Sequence, residues 1–104
     1  MSKFMIAYYG GNPPKSKEEG MAQMEKWKAW VQSLGEAVVN PGTPLPASMI
    51  VTAESVEADK NPDAMKGFAI VNADSMDAAV EIAQRDPFLE NGGQIRVSQM
   101  MEMP

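Results

Sequence analysis

The chain has 104 residues and a net charge of −5, with 44% hydrophobic residues, no cysteine and no histidine. That length suits one domain, and the apolar content suits a globular rather than a disordered chain. The missing residue types exclude disulfides, thiolate metal sites, Cys nucleophiles, Ser-His-Asp triads and imidazole-ligated metals, so any chemistry must come from carboxylates, Lys, Tyr, Ser or Thr, or from a bound cofactor.

Lys3 to Tyr9 (KFMIAYY) is apolar and aromatic and ends at Gly10-Gly11, the pattern of a strand. Gly11-Asn12-Pro13-Pro14 is loop chemistry. Ser16 with Glu19 three residues later fits a capping box that opens a helix. Met21, Met24, Trp27, Trp30, Val31 and Leu34 recur at three- and four-residue steps and predict its buried stripe, with Gly35 as the C-terminal cap. Gly20 weakens this helix from inside.

Glu36 to Asn40 reads as a strand, Pro41 to Pro46 as a structured loop, and Ser48 to Val56 as a further extended stretch, followed by a polar loop from Glu57 to Lys66. Gly67 to Asn72 is a strongly apolar strand. Asp74 or Ser75 caps a second helix with Met76, Ala79, Val80 and Ala83 on its buried face, and Asp86-Pro87 stops it. Asn91-Gly92-Gly93 is a turn, and Gln94 to Met103 is the last strand.

Strand, helix, strand with hairpin, strand, helix, strand is the order of a ferredoxin-like βαββαβ sandwich. This is an α+β fold with an antiparallel sheet and both helices on one face, and residues 1–104 are expected to form this single domain. Both faces of the strands are apolar. Phe4, Ile6 and Tyr8 oppose Met5, Ala7 and Tyr9, and Phe68 and Ile70 oppose Ala69 and Val71. The open sheet face is therefore expected to be covered by a second copy, giving a homodimer. Met100, Met101 and Met103 are expected to pack across it.

Acidic charge and scattered cations argue against nucleic-acid binding and anionic membranes, and no apolar run spans a bilayer. The N-terminus lacks signal-peptide features, so the expected location is cytoplasmic.

These features resemble the YCII-related proteins, including the branch named for its Asp-Gly-Pro-Phe motif. The similarity runs through Phe4–Gly10, the tryptophan-bearing helix ending in Leu34-Gly35, Gly42-x-x-Leu45, Gly67-Phe68, Asp86-Pro87-Phe88 and Gly93–Val97. The resemblance implies a dimeric α-β barrel of ferredoxin-like subunits with a pocket between helix and sheet. Two features depart from it. The Asp-Gly-Pro-Phe motif is absent, and the histidine that works with an aspartate in some members has no counterpart, although Asp86 matches that aspartate.

Asp86 is the candidate catalytic residue, a proton acceptor if buried; the alternative is an Asx turn before proline. Tyr8, Trp27 and Trp30 are candidate ligand-binding aromatics, against a purely structural core. Asn40 and Asn72 end apolar runs and could line a pocket, and Arg96 could pair with a substrate carboxylate; turn residues and an interface ion pair are the alternatives. No metal site and no cofactor are expected. Three functions stay open: a small-molecule-binding protein with an accessory or regulatory role, a cofactor-free enzyme of lyase, isomerase or monooxygenase type using Asp86, and a dimerisation scaffold without a ligand.

Overall fold

The computed structural model describes residues 1–103. The first strand, β1 (Ser2–Gly10), is followed by α1 (Lys17–Leu34), a 3-10 turn (Gly35–Ala37), β2 (Val38–Asn40), β3 (Met49–Val51), β4 (Val56–Ala58), β5 (Met65–Ala73), α2 (Met76–Gln84), a second 3-10 turn (Pro87–Asn91) and β6 (Gly93–Gln99). The main sheet has the order β2-β5-β1-β6 and every neighbouring pair is antiparallel. This is the ferredoxin-like arrangement, with β3 and β4 inserted as a separate two-stranded hairpin. The sheet is open. Among the described residues, no helix is long and apolar enough to cross a membrane.

Alternation along the two long strands sets the layers. Phe4, Ile6 and Tyr8 of β1 and Ala69, Val71 and Ala73 of β5 are buried beneath the helices. Ala79 and Ala83 of α2 and Trp30 of α1 complete this core. The small side chains on β5 and α2 let that helix approach the sheet closely.

Both helices begin as the sequence indicates. The Ser16 Oγ accepts the Glu19 backbone N–H at 3.1 Å, and the Ser75 Oγ accepts that of Ala78 at 3.1 Å. The first box is only half formed, because the Glu19 carboxylate turns to Gln23 instead. Ser75→Ala is expected to destabilise the fold by about 1 kcal/mol, the usual cost of a lost N-cap, as read by denaturant unfolding. A Cβ at Gly20 would meet Pro14 at ordinary van der Waals distance, so nothing in the packing there requires glycine.

Several expectations are corrected. The N-terminal half of the α1 stripe is not core: Met21 is 62% exposed, and Met24, also exposed, borders a cavity instead of packing on the sheet. On α2, Met76 and Val80 are exposed, while Ala78 and Ile82 flank the buried alanines. Ser48 to Val56 is not one extended stretch but turns back at Thr52–Ser55 into β4, which pairs Met49 with Ala58 and Val51 with Val56. The last strand ends at Gln99, and Met101 and Met103 lie exposed beyond it.

Candidate functional site

A cavity of about 870 Å³ opens between the first turns of α1, the C-terminal end of β1, the start of β5 and the second 3-10 turn. Its walls are mostly apolar. Trp27 and Met24 come from α1, Phe88 from the 3-10 turn, and Pro13 and Pro14 from the preceding loop. Gly42, Thr43 and Pro44 form a strap across the far side, where Pro44 pairs with Gly67 at the edge of β5. Polar groups are few, and some are bound to one another. Gln23 donates to the Asn91 side-chain oxygen at 3.1 Å, and Lys26 meets Glu90 at 3.3 Å at the exposed rim.

Tyr8 sits in this wall, and its phenol is tilted against the Phe88 ring at 4.9 Å between centroids. Its hydroxyl donates to Asp86 Oδ2 at 2.5 Å. Asp86 is 2% exposed and is the one buried charged side chain among the described residues. Its other oxygen, Oδ1, accepts the Phe88 backbone N–H at 2.9 Å. The carboxylate is thus held at both oxygens. One closes the Asx turn before Pro87, and the other meets a phenol 78 positions earlier in the chain.

Burial dominates the electrostatics of the pair. It raises the Asp86 pKa, and the hydrogen bonds from Tyr8 and from the Phe88 backbone only partly offset the rise. Burial, then the neighbouring Asp86 charge and hydrogen bond, push the Tyr8 phenol far above its ordinary range, and the Trp27 side chain opposes this. Tyr8 therefore stays a phenol while Asp86 is the group that titrates. The folded state binds the Asp86 proton more tightly than the unfolded state does, so its ionisation costs stability as pH rises from about 3.8 through the raised folded value. Wild-type stability is expected to fall across this window relative to Asp86→Asn, measured by urea unfolding from pH 4 to 8. A flat difference would contradict the burial of a charge at this position.

Phe88 owes its position to a close approach. A Cβ on Gly93 would overlap its ring and touch the Tyr9 carbonyl oxygen, so glycine at the start of β6 lets the ring lie against the strand end.

The candidate residues separate in space. Tyr8 and Trp27 line the cavity, and Asp86 stands behind Tyr8. Trp30 is buried in the core, with its indole N–H unpartnered among the described residues. It also borders a shallower cleft of about 560 Å³ with Asp86, Arg85 and Leu89. Asn40 lies outside the cavity and caps a turn, its side-chain oxygen accepting the Gly42 N–H at 2.8 Å. Asn72 and Arg96 are on the open face of the sheet, where Asn72 pairs in register with Lys3 and the Arg96 guanidinium lies 4.4 Å over the Tyr9 ring. Among the described residues, no group of three or more acidic side chains is placed to hold a metal ion. Phe88, Gln23, Asn91 and the Gly42–Pro44 strap were not singled out from sequence. Phe88 had a signal, its place two residues after Asp86, but the strap becomes visible only when the chain crosses the sheet edge.

No curated protein matches the sequence. Among solved structures, the fold is similar to that of 5-chloro-2-hydroxyhydroquinone dehydrochlorinase (TftG) from Burkholderia phenoliruptrix AC1100, solved in complex with 2,5-dihydroxybenzoquinone. The TM-score is 0.61 over 97% of this chain and 95% of that one, and at 20% identity the likeness is one of fold. The YCII-related domain matches residues 1–104, from the first strand through Asp86-Pro87-Phe88 to the last residue, and the chain belongs to the YCII-related domain family.

Proposed function

We propose that this protein is a homodimer that binds a small, flat, hydroxylated ring in the cavity beside Tyr8. The observation that carries the reading is the Tyr8 phenol in the cavity wall, hydrogen-bonded to a buried Asp86. Trp27, Phe88 and Met24 supply apolar walls for a ring. The phenol O–H is already engaged as the donor to Asp86, so its oxygen is left as an acceptor, and the group that complements it is a ligand O–H. The ligand in the dehydrochlorinase structure is a ring that carries hydroxyl groups, which agrees with this class.

The same geometry favours an enzymatic reading as the second one. A ligand hydroxyl that reaches the Tyr8 oxygen can pass its proton to the phenol as the phenol passes its own to Asp86. The charge then moves from the carboxylate to the ligand oxygen. Asp86 is the terminal acceptor, and its raised pKa brings it nearer to a working general base. Tyr8 supplies the partner that a missing histidine would otherwise have to be.

A thermal-shift screen tests the binding reading. Catechol and hydroxyhydroquinone, held under anaerobic conditions, are compared with their fully methylated ethers. A ligand at 100 times its Kd adds about 2.7 kcal/mol to stability, a readily measured rise in Tm. The hydroxylated rings are expected to raise Tm and the ethers not. Equal shifts would make the cavity merely apolar, and no shift with either set would remove the proposed ligand class.

A further inference from the structure

The β3–β4 hairpin covers nothing in its own chain. Met49, Val51 and Val56 are 60%, 70% and 63% exposed, and the register places them with Ala58 on one face. An isolated two-stranded hairpin is at best marginally stable in water, and an apolar face held in solvent makes it less so. The hairpin's backbone bonds beyond its own ladder stay local, Thr52 to Ser55 and Asp59 to Ser48. Its root carries Pro41, Pro44 and Pro46, which stiffen the segment leading away from β2. The molecule measures 43 × 39 × 18 Å, so the arm extends within the plane of the two-layer slab rather than above it.

The open face of the main sheet has complementary properties. Alternation puts Met5, Phe68 and Ile70 there, with Lys3 and Arg96 as its charged residues and no acid. This face carries two cations and no carboxylate, against the chain's net charge of −5. The arm has the opposite balance: Glu54 in its turn and Asp59 at its root are acidic, Glu57 lies with Ile50 on its other face, and no cation stands between Met49 and Asp59.

We infer that the β3–β4 hairpin is an inter-subunit clasp, whose apolar face docks at the open sheet face of a second copy of this chain. This rests on the proposed dimer through that face and adds the element that closes it. Two slabs stacked face to face about a twofold axis send each arm past its own sheet edge and over the other copy, so both apolar surfaces are covered in one isologous contact. The two roots of the arm, Gly42–Pro44 and Lys66–Phe68, are also wall of the cavity. Docking the arm therefore fixes one side of the ligand site.

Sedimentation equilibrium of wild type, the arm variant Val51→Lys/Val56→Lys and the sheet variant Ile70→Lys tests the clasp. All three substitutions replace exposed or half-buried side chains, and circular dichroism checks that each variant is folded. Wild type is expected to be a dimer, and the arm variant to have a dissociation constant at least 100-fold higher. If Ile70→Lys dissociates while the arm variant dimerises like wild type, the clasp is overturned and the sheet-face dimer stands. A monomeric wild type would overturn both. The chain has no cysteine, so a nitroxide at Val56→Cys reports on one site. It is expected to be immobilised in the dimer and mobile in the Ile70→Lys background, whereas equal mobility in the two would overturn the clasp.

Discussion

Tyr8→Phe is expected to cost about 2–3 kcal/mol at neutral pH and to push the Asp86 pKa higher still. The substitution keeps the ring and its contact with Phe88 but removes the one donor to Asp86 Oδ2. Hydrogen bonds to charged groups contribute about 1.5–3 kcal/mol, and a buried carboxylate left without its partner also bears its full desolvation penalty. The Tyr8 bond is the largest of the effects that lower the Asp86 pKa, so its loss leaves burial opposed only by the Phe88 backbone N–H. The cost should therefore shrink in acid, where Asp86 is protonated, and grow towards neutral pH. Urea unfolding of both proteins at pH 4 and pH 7 reads this directly. A pH-independent cost would mean that the carboxylate is not ionised beside Tyr8.

Gly42→Ala is expected to be the most damaging small substitution, destabilising by about 3 kcal/mol or more. Gly42 has φ +76°, a conformation that L side chains rarely adopt. Its added Cβ would also overlap the backbone carbonyl oxygen of Phe68, an atom fixed within β5. The strap cannot stay against the strand with this side chain present. Its displacement would break the Pro44–Gly67 bridge and open one wall of the cavity. Loss of both thermal stability and ring binding is the expected result; a variant with wild-type Tm would show that the strap does not press on β5.

The main sheet was legible because β1 and β5 are short apolar runs with aromatic or branched residues, bounded by glycine at or near one end. The helix starts were legible because Ser16 and Ser75 act within three residues of their own positions. What failed was whatever depended on distant partners. The α1 periodicity marks an apolar face correctly but cannot say that Met24 faces a cavity while Trp30 faces the sheet. The turn between β3 and β4 was hidden because it has no glycine, proline or asparagine. Thr52 and Ser55 make it with hydroxyls instead, the Ser55 N–H donating to Thr52 Oγ1 at 3.0 Å. Asp86 could be placed before proline from sequence, and the Asx turn is indeed present, but its phenol partner comes from the opposite end of the chain. Only the antiparallel pairing of β1 with β6 and the turn before β6 bring those residues together.

The most direct test of the site is isothermal titration of hydroxyhydroquinone into wild type and into Tyr8→Phe at one pH, under anaerobic conditions and with both proteins folded. If the phenol oxygen accepts a hydrogen bond from a ligand hydroxyl while its own O–H stays on Asp86, the variant should bind at least 10-fold more weakly, the loss expected when a buried donor of about 1.4 kcal/mol or more loses its acceptor. Equal affinity for the two proteins would contradict the account, because the ring would then be held without the Tyr8–Asp86 pair.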